Sequence, residues 1–234
     1  KLTHVFEMSE QQFFEYYTDE SVSSCTSYLD KCLKEIQLTR AKVSDELPFS
    51  NVWIAQQTAH RLPAGSVLHL GILNTLRTWN FFVSTSDVYG YSNTGGFGID
   101  GNISSLIGAS LVHPDRLYFG VVGDLAFFYD MNVIGNRHVG NNVRILLVNN
   151  GKGTEFRNYT HHGAIFGDEA DKYIAAGGHF GNKSCVLVKH YAEDLGYEYL
   201  SANNKEEYLK NLERFLVPEI IGCPMIFEVF TNNE

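Results

Sequence analysis

The chain has 234 residues, 44% hydrophobic and 19% charged, with 18 Lys and Arg against 27 Asp and Glu and a formal charge of -9. These are the proportions of an ordinary globular protein, long enough for one large domain or two small ones. An acidic chain without a basic run excludes nucleic acid as a partner, and no apolar stretch approaches the roughly 20 residues that span a bilayer. The opening KLTHVFEMSE has no signal-peptide pattern. Cys25, Cys32, Cys185 and Cys223 form no CxxC pair and read as reduced thiols, which places the protein in the cytoplasm. There the glycosylation-type triplets at Asn102, Asn158 and Asn182 carry no meaning. The chain starts without Met and ends abruptly, and it reads as a piece of a longer protein.

Residues 1–47 differ from the rest. Residues 2–7 read as a short strand and 9–17 as a helical turn or two. Residues 22–41 carry Tyr28, Leu29, Leu33, Ile36 and Leu38 at an amphipathic helical period. After Pro48 the pattern alternates. Residues 52–61 predict a helix, stopped by Pro63-Ala64-Gly65, and 67–73 a strand. Residues 75–81 predict a helix or turn, 87–91 a short strand, and 103–111 a helix after a glycine-rich turn. A strand over 117–122, a helix over 126–134 and a strand over 144–148 follow. Residues 169–177 read as helical, 185–189 as strand or turn, 192–196 and 205–216 as helical, and 225–230 as the last strand. Strands separated by helical segments predict an α/β fold, an open parallel sheet with helices on both faces. The dense apolar runs at 118–122, 144–148 and 225–230 fit strands buried on both sides.

Two of those strands end alike. The run 118–122 closes on Gly123-Asp124, and, about one helix later, 143–148 closes on Asn149-Asn150. Oxygen-bearing side chains at two strand ends put hard ligands at the same edge of a parallel sheet, where open α/β sheets bind their ligands. Carboxylate, amide and carbonyl oxygens suit Mg²⁺ or Ca²⁺, and Mg²⁺ is commonly shared with phosphate. The pattern points to a diphosphate–metal site; the competing reading is that both pairs are merely the polar ends of buried strands.

Gly-Asp, about 25 residues and Asn-Asn resembles the cofactor motif of thiamine diphosphate enzymes. The resemblance implies the thiamine diphosphate-binding fold and carries the metal ligands onto Asp124, Asn150 and the backbone carbonyl of Lys152. Two departures are visible. Leu125 stands where the motif often has Gly, and the interval is one residue shorter than the motif's, a difference the loop at Gly140, Asn141 and Asn142 can absorb. Upstream, residues 91–101 (YSNTGGFGIDG) resemble the glycine-rich segment leading to a helix beneath the cofactor. The Gly-Ile-Asp-Gly there, Gly123-Asp124-Leu125 and Tyr129-Asp130-x-Asn132 are most like the menaquinone-pathway succinyl-enolpyruvyl-hydroxy-cyclohexene-carboxylate synthase branch of the acetolactate synthase and pyruvate decarboxylase superfamily. Residues 172–180 and 192–199 resemble the family's last helix–strand portion.

The resemblance implies a pyrophosphate-binding C-terminal domain over 48–234, with 1–47 as the tail of a preceding central domain and its connector. It implies cofactor contacts from Gly123, Leu125, Ala126, Ser92, Gly96, Phe97 and Phe156 besides Asp124 and Asn150. Backbone N–H groups of Leu125 and Ala126, at a helix start, can donate to phosphate oxygen. Phe97 stands where a bulky residue supports the bent cofactor, with core packing as the equal alternative. Asp130 and Asn132 are either functional or simply on a helix surface. In the family the cofactor attacks a 2-oxo acid and acts as electron sink for its decarboxylation. The activating Glu belongs to a pyrimidine-binding domain, which residues 1–234 do not contain. No catalytic residue is therefore expected here, and the chain should be inactive alone, its active site completed by that N-terminal domain within a homodimer.

The substrate is less legible. The menaquinone-pathway enzyme has Arg where this chain has Thr94, and a second Arg near the end of the next helix, where Ser110 and Leu111 stand. Losing a bidentate carboxylate partner is not conservative. The expectation is a related decarboxylase or carboligase acting on another 2-oxo acid such as pyruvate. The alternatives are the menaquinone-pathway carboligase acting on 2-oxoglutarate and isochorismate, or a non-catalytic relative that keeps the fold. His161-His162 with Asp168 and Glu169 could form a second metal site, but they fall in the loop after Asn150, where substrate contact or a solvated loop is the better reading. Gly95-Gly96-x-Gly98 has the wrong order for a dinucleotide fingerprint.

Overall fold

The structure, a computed structural model, describes residues 3–18, 26–94, 98–157, 161–174 and 184–231. The chain divides into two compact units, Lys1–Val43 and Ser44–Glu234.

In the first unit, α1 (Glu10–Tyr17) starts at a capping box: the Ser9 hydroxyl accepts from the Gln12 N–H, and the Gln12 side chain accepts from the Ser9 N–H. The second helix, α2 (Ser27–Arg40), is shorter than the period over 22–41 predicts, and residues 19–25 lie outside the described residues. Neither helix buries a residue. Residues 3–7 form no strand, contrary to the sequence expectation. An extended segment needs a neighbour to satisfy its backbone groups, and none of the described strands belongs to this unit.

The second unit holds one sheet of β1 (Val67–Leu70), β2 (Tyr89–Ser92), β3 (Tyr118–Gly123), β4 (Val143–Asn149), β5 (Glu198–Ala202) and β6 (Met225–Phe230). All pairings are parallel, in the order β2-β1-β3-β4-β6-β5. One face carries α3 (Asn51–Thr58), α4 (Asn74–Trp79) and, late in the chain, α9 (Lys205–Phe215), packed through Ile54, Trp79, Leu212 and Phe215 against Phe119 and Phe227. The other carries α5 (Asn102–Ser110), α6 (Asp124–Asp130) and α8 (Leu187–Asp194), packed through Ile103, Leu106, Phe127 and Val188 against Ile145 and Ile226. A short α7 (Asp171–Ile174) precedes α8. The chain is thus the open α/β sheet that alternation predicts. Among the described residues, no helix is long and apolar enough to cross a membrane.

The sequence reading missed β5, and its strand or turn at 185–189 is largely the start of α8. The reason is position. β5 is the last strand at one edge of the sheet and mostly half-buried, so EYLSA lacks the continuous apolar run of β3, β4 and β6.

Arg144 on β4 is fully buried near the amino edge of the sheet. Its guanidinium donates to the carbonyls of Phe215 (2.6 Å), Val217 and Glu219 (2.7 Å), fastening the turn after α9 beneath the sheet. Burial lowers its pKa to about 10, which still leaves it protonated at neutral pH. Arg144→Met would strand three carbonyls, and the expected loss is about 3 kcal/mol or more in urea unfolding.

Glu228 on β6 is 2% exposed and accepts from Asn149 Nδ2 and the Tyr199 hydroxyl, each at 2.7 Å. Burial raises its carboxyl pKa, and the two hydrogen bonds only partly oppose that. A raised folded pKa makes this group's contribution complete below its unfolded value, about 4.3, and lost as pH rises through the folded value. Glu228→Gln should therefore gain stability relative to wild type at pH 7, with the gain shrinking towards pH 4. Urea midpoints at the two pH values check this.

Candidate functional site

Parallel pairing brings all six carboxyl ends to one edge. From β1 the chain turns one way to β2, then crosses back past β1 to β3, so the loops after β1 and β3 diverge. Such a reversal opens a crevice. A cavity of about 270 Å³ lies there, lined by Ile72, Leu73 and Asn74 after β1, residues 123–126 after β3, and Asn150 with residues 152–156 after β4.

Asp124, 3% exposed, joins two of these loops. One carboxylate oxygen accepts from the Leu125 N–H at 2.7 Å, the other from the Gly151 N–H at 2.6 Å. Asn150 Oδ1 accepts from the Lys152 N–H at 2.8 Å, and Gly151 takes φ +69°, a left-handed turn that favours glycine. The oxygen-bearing ends predicted from sequence thus meet around one turn. A carboxylate, an amide oxygen and the Lys152 carbonyl are hard donors from residues that line one cavity. The donor chemistry fits Mg²⁺. Beside Asp124, a Cβ built on Gly123 would meet nothing within 4 Å, space that a diphosphate can occupy.

The other residues singled out from sequence are placed as follows. Leu125, Ala126 and Phe156 line the cavity, although the Leu125 N–H is already taken by Asp124. Ser92 does not line it; its hydroxyl donates to the Leu70 carbonyl at 2.8 Å and ties β2 to β1. Gly96 and Phe97 lie outside the described residues. Beyond them Ile99 reaches the cavity, held by Asn102, whose amide donates to the Ile99 carbonyl at 2.9 Å. Asp130 is buried at the end of α6 and accepts from the Ser104 N–H (2.7 Å) and hydroxyl (2.6 Å). It caps the first turn of α5, where Gly101 has no side chain to do so. Asn132 is exposed.

The second metal site, the less favoured reading of the loop after Asn150, is not assembled among the described residues, and one expectation is corrected. His161, His162, Asp168 and Glu169 do not gather: Asp168 pairs with Arg157 at 2.8 Å, Glu169 with Lys172 at 2.6 Å, and His161 Nδ1 accepts from the Gly163 N–H. Among the described residues no group of three His, Cys, Asp or Glu is placed to hold a metal. Ser110 and Leu111 stand at the amino edge, where the Ser110 carbonyl accepts from Asn142 just before β4. An Arg there would be remote from the cavity, so its lack says nothing about substrate.

The loop after β1 was not singled out. Leu73 adopts φ +69°, a sparsely populated conformation for a branched side chain, at the cavity wall. Asn74 reaches the loop after β4: with its amide oxygen towards Thr154 (2.6 Å) it also accepts from the Glu155 N–H at 3.1 Å. The signal was available, since 67–73 is also an apolar run ending in polar residues, Asn74-Thr75.

No family model matches the chain. It is 31% identical to the 2-succinyl-5-enolpyruvyl-6-hydroxy-3-cyclohexene-1-carboxylate synthase of Bacteroides fragilis over 99% of its own length and 40% of that protein. To the synthase of the same name from Phocaeicola vulgatus it is 33% identical, over 81% of the chain and 32% of the relative. Its fold is also that of the thiamine diphosphate-dependent 4-hydroxybenzoylformate decarboxylase of Rhodococcus jostii RHA1, at TM-score 0.63 and 20% identity, over 82% of this chain and 34% of that one. The chain belongs to the thiamine diphosphate-dependent enzyme superfamily, in the branch of these synthases. It spans about two-fifths of the Bacteroides fragilis synthase's length.

In this thiamine diphosphate-binding fold the helix after the glycine-rich segment hangs on Asp130. Asp130→Ala should cost about 1 kcal/mol in chemical denaturation, through the lost cap on the Ser104 N–H and hydroxyl.

Proposed function

We propose that this chain supplies the diphosphate- and metal-binding part of a thiamine diphosphate-dependent enzyme that decarboxylates a 2-oxo acid and passes the remainder to an acceptor. The observation that carries this reading is the lining of one cavity by Asp124, Asn150 and Lys152, from loops after adjacent strands. Asp124 supplies charge to Mg²⁺, Asn150 its amide oxygen and Lys152 its backbone carbonyl. Gly123 leaves the diphosphate room, and Phe156 with Leu73 shields it from water. Thiamine diphosphate, when bound, supplies the nucleophilic carbon and the electron sink. The chain's own residues anchor and orient it. Activation of its aminopyrimidine we assign to a Glu of a pyrimidine-binding domain in the full-length protein, a cytoplasmic homo-oligomer in this reading. Residues 1–47 we read as the tail of a central domain.

For the substrate, identity to the synthases across 99% of the chain supports 2-oxoglutarate with isochorismate as acceptor, the menaquinone-pathway reaction. Thr94 in place of the branch's Arg favours a second reading, a smaller 2-oxo acid such as pyruvate, because Thr offers no bidentate carboxylate partner. Turnover of the full-length protein on the two 2-oxo acids separates these.

Calorimetric titration of thiamine diphosphate with and without Mg²⁺ tests the site. Binding should need Mg²⁺ and fall by at least a hundredfold in Asp124→Ala. Equal affinity in that variant would remove Asp124 from the site, and a full-length protein that binds no cofactor would mark a non-catalytic relative.

A further inference from the structure

Along β6, Met225, Phe227 and Val229 pack into one core and Ile226 into the other. Residue 228 falls on the side of Ile226 by strand alternation, and it is a glutamate amid apolar neighbours. Packing has no use for a carboxyl there; a buried charge is tolerated where other buried groups need it. The group that needs it is Asn149, 8% exposed, whose Nδ2 donates to one Glu228 oxygen at 2.7 Å. The Tyr199 hydroxyl donates to the other at 2.7 Å. The Asn149 backbone is held just past the end of β6, its carbonyl accepting from the Thr231 N–H at 3.1 Å.

Asn149 directly precedes the cavity turn. Its side chain is held on the Glu228 face of the sheet at the last residue of β4, where the chain leaves the strand for the turn. Asn150 then lines the cavity, and the next two N–H groups close on Asp124 and on Asn150 itself, at 2.6 and 2.8 Å. We propose that Glu228 is a positioning residue: by holding Asn149 it sets the register of the Asn150–Lys152 turn and so the placement of the oxygens offered to the cation. The inference rests on reading that cavity as the cation–diphosphate site. It concerns a residue that touches neither cation nor cofactor, acting through its neighbour, as groups behind metal ligands do.

The test compares Glu228→Gln, Glu228→Leu and Tyr199→Phe in the full chain, using hydrogen exchange at the Gly151 and Lys152 amides and Mg²⁺-dependent thiamine diphosphate affinity. Glu228→Gln still accepts from Asn149, and Tyr199→Phe leaves that bond alone, so both should keep affinity within about threefold of wild type. Glu228→Leu should weaken affinity at least tenfold, with exchange at Gly151 and Lys152 rising far more than at Leu146 in mid-strand. Should Glu228→Leu fail to fold, Asn149→Asp replaces it. That variant alone sets two carboxyls together and should lose affinity, while Asn149→Asp with Glu228→Gln restores a donor–acceptor pair with roles exchanged and should regain it. Affinity that follows global stability alike in Glu228→Leu and Tyr199→Phe, or exchange that rises evenly along β4, overturns the proposal. Exchange needs neither cation nor cofactor. If Asp124→Ala leaves cofactor binding intact, the cation reading falls while exchange at Gly151 and Lys152 still decides whether Glu228 sets the turn.

Discussion

Parallel pairing is the constraint from which the rest follows. A sheet whose strands all run one way must return its chain through crossovers, and every strand then ends at the same edge. Six strands in the order β2-β1-β3-β4-β6-β5 contain a reversal at β1, and there the loops after β1 and β3 part. The cavity is a product of topology before any side chain is considered. Side chains decide what it can hold. Asp124 sits where β3 ends, and its two oxygens bind N–H groups of its own helix start and of the turn after β4. One carboxylate therefore closes the crevice and gives it charge.

The charged residues buried in and around this sheet follow a common logic. Arg144, near the amino edge, spends its guanidinium on three carbonyls of the turn after α9. Asp130 satisfies the first turn of α5. Glu228 satisfies Asn149 and Tyr199. Each is a charged group in apolar surroundings, a placement that costs stability, and each fixes a loop or helix end that apolar packing alone leaves unspecified. At the amino edge the gain is the fold itself. At the carboxyl edge it is the shape of the site.

Much of this was legible in the sequence, for reasons that differ by element. β3, β4 and β6 are covered on both faces, so they must be apolar throughout, and such runs are readable without knowing their neighbours. The pairs Gly123-Asp124 and Asn149-Asn150 stand out because polar residues closing such runs have a restricted set of uses. β5 was hidden because an edge strand need not be apolar, and the start of α8 was mistaken because short apolar runs do not declare their period. Leu73 was invisible for another reason: its φ of +69° is imposed by the path from β1 into α4, and nothing in the residue announces it.

What the sequence determined by itself is the chemistry available: an α/β chain with hard oxygen donors at two strand ends, arranged in a motif similar to that of thiamine diphosphate enzymes. Those are properties of residue type and spacing, which the chain carries in any conformation. Only the tertiary structure decided which strands are neighbours, and hence that the loop after β1 shares the cavity while the far end of α5 does not. It also decided that Asp130 is a helix cap and that Glu228, 78 positions from Asn150, lies behind the cavity turn. Strand order is set by burial and hydrogen bonding between segments far apart in the chain, and no local pattern records it.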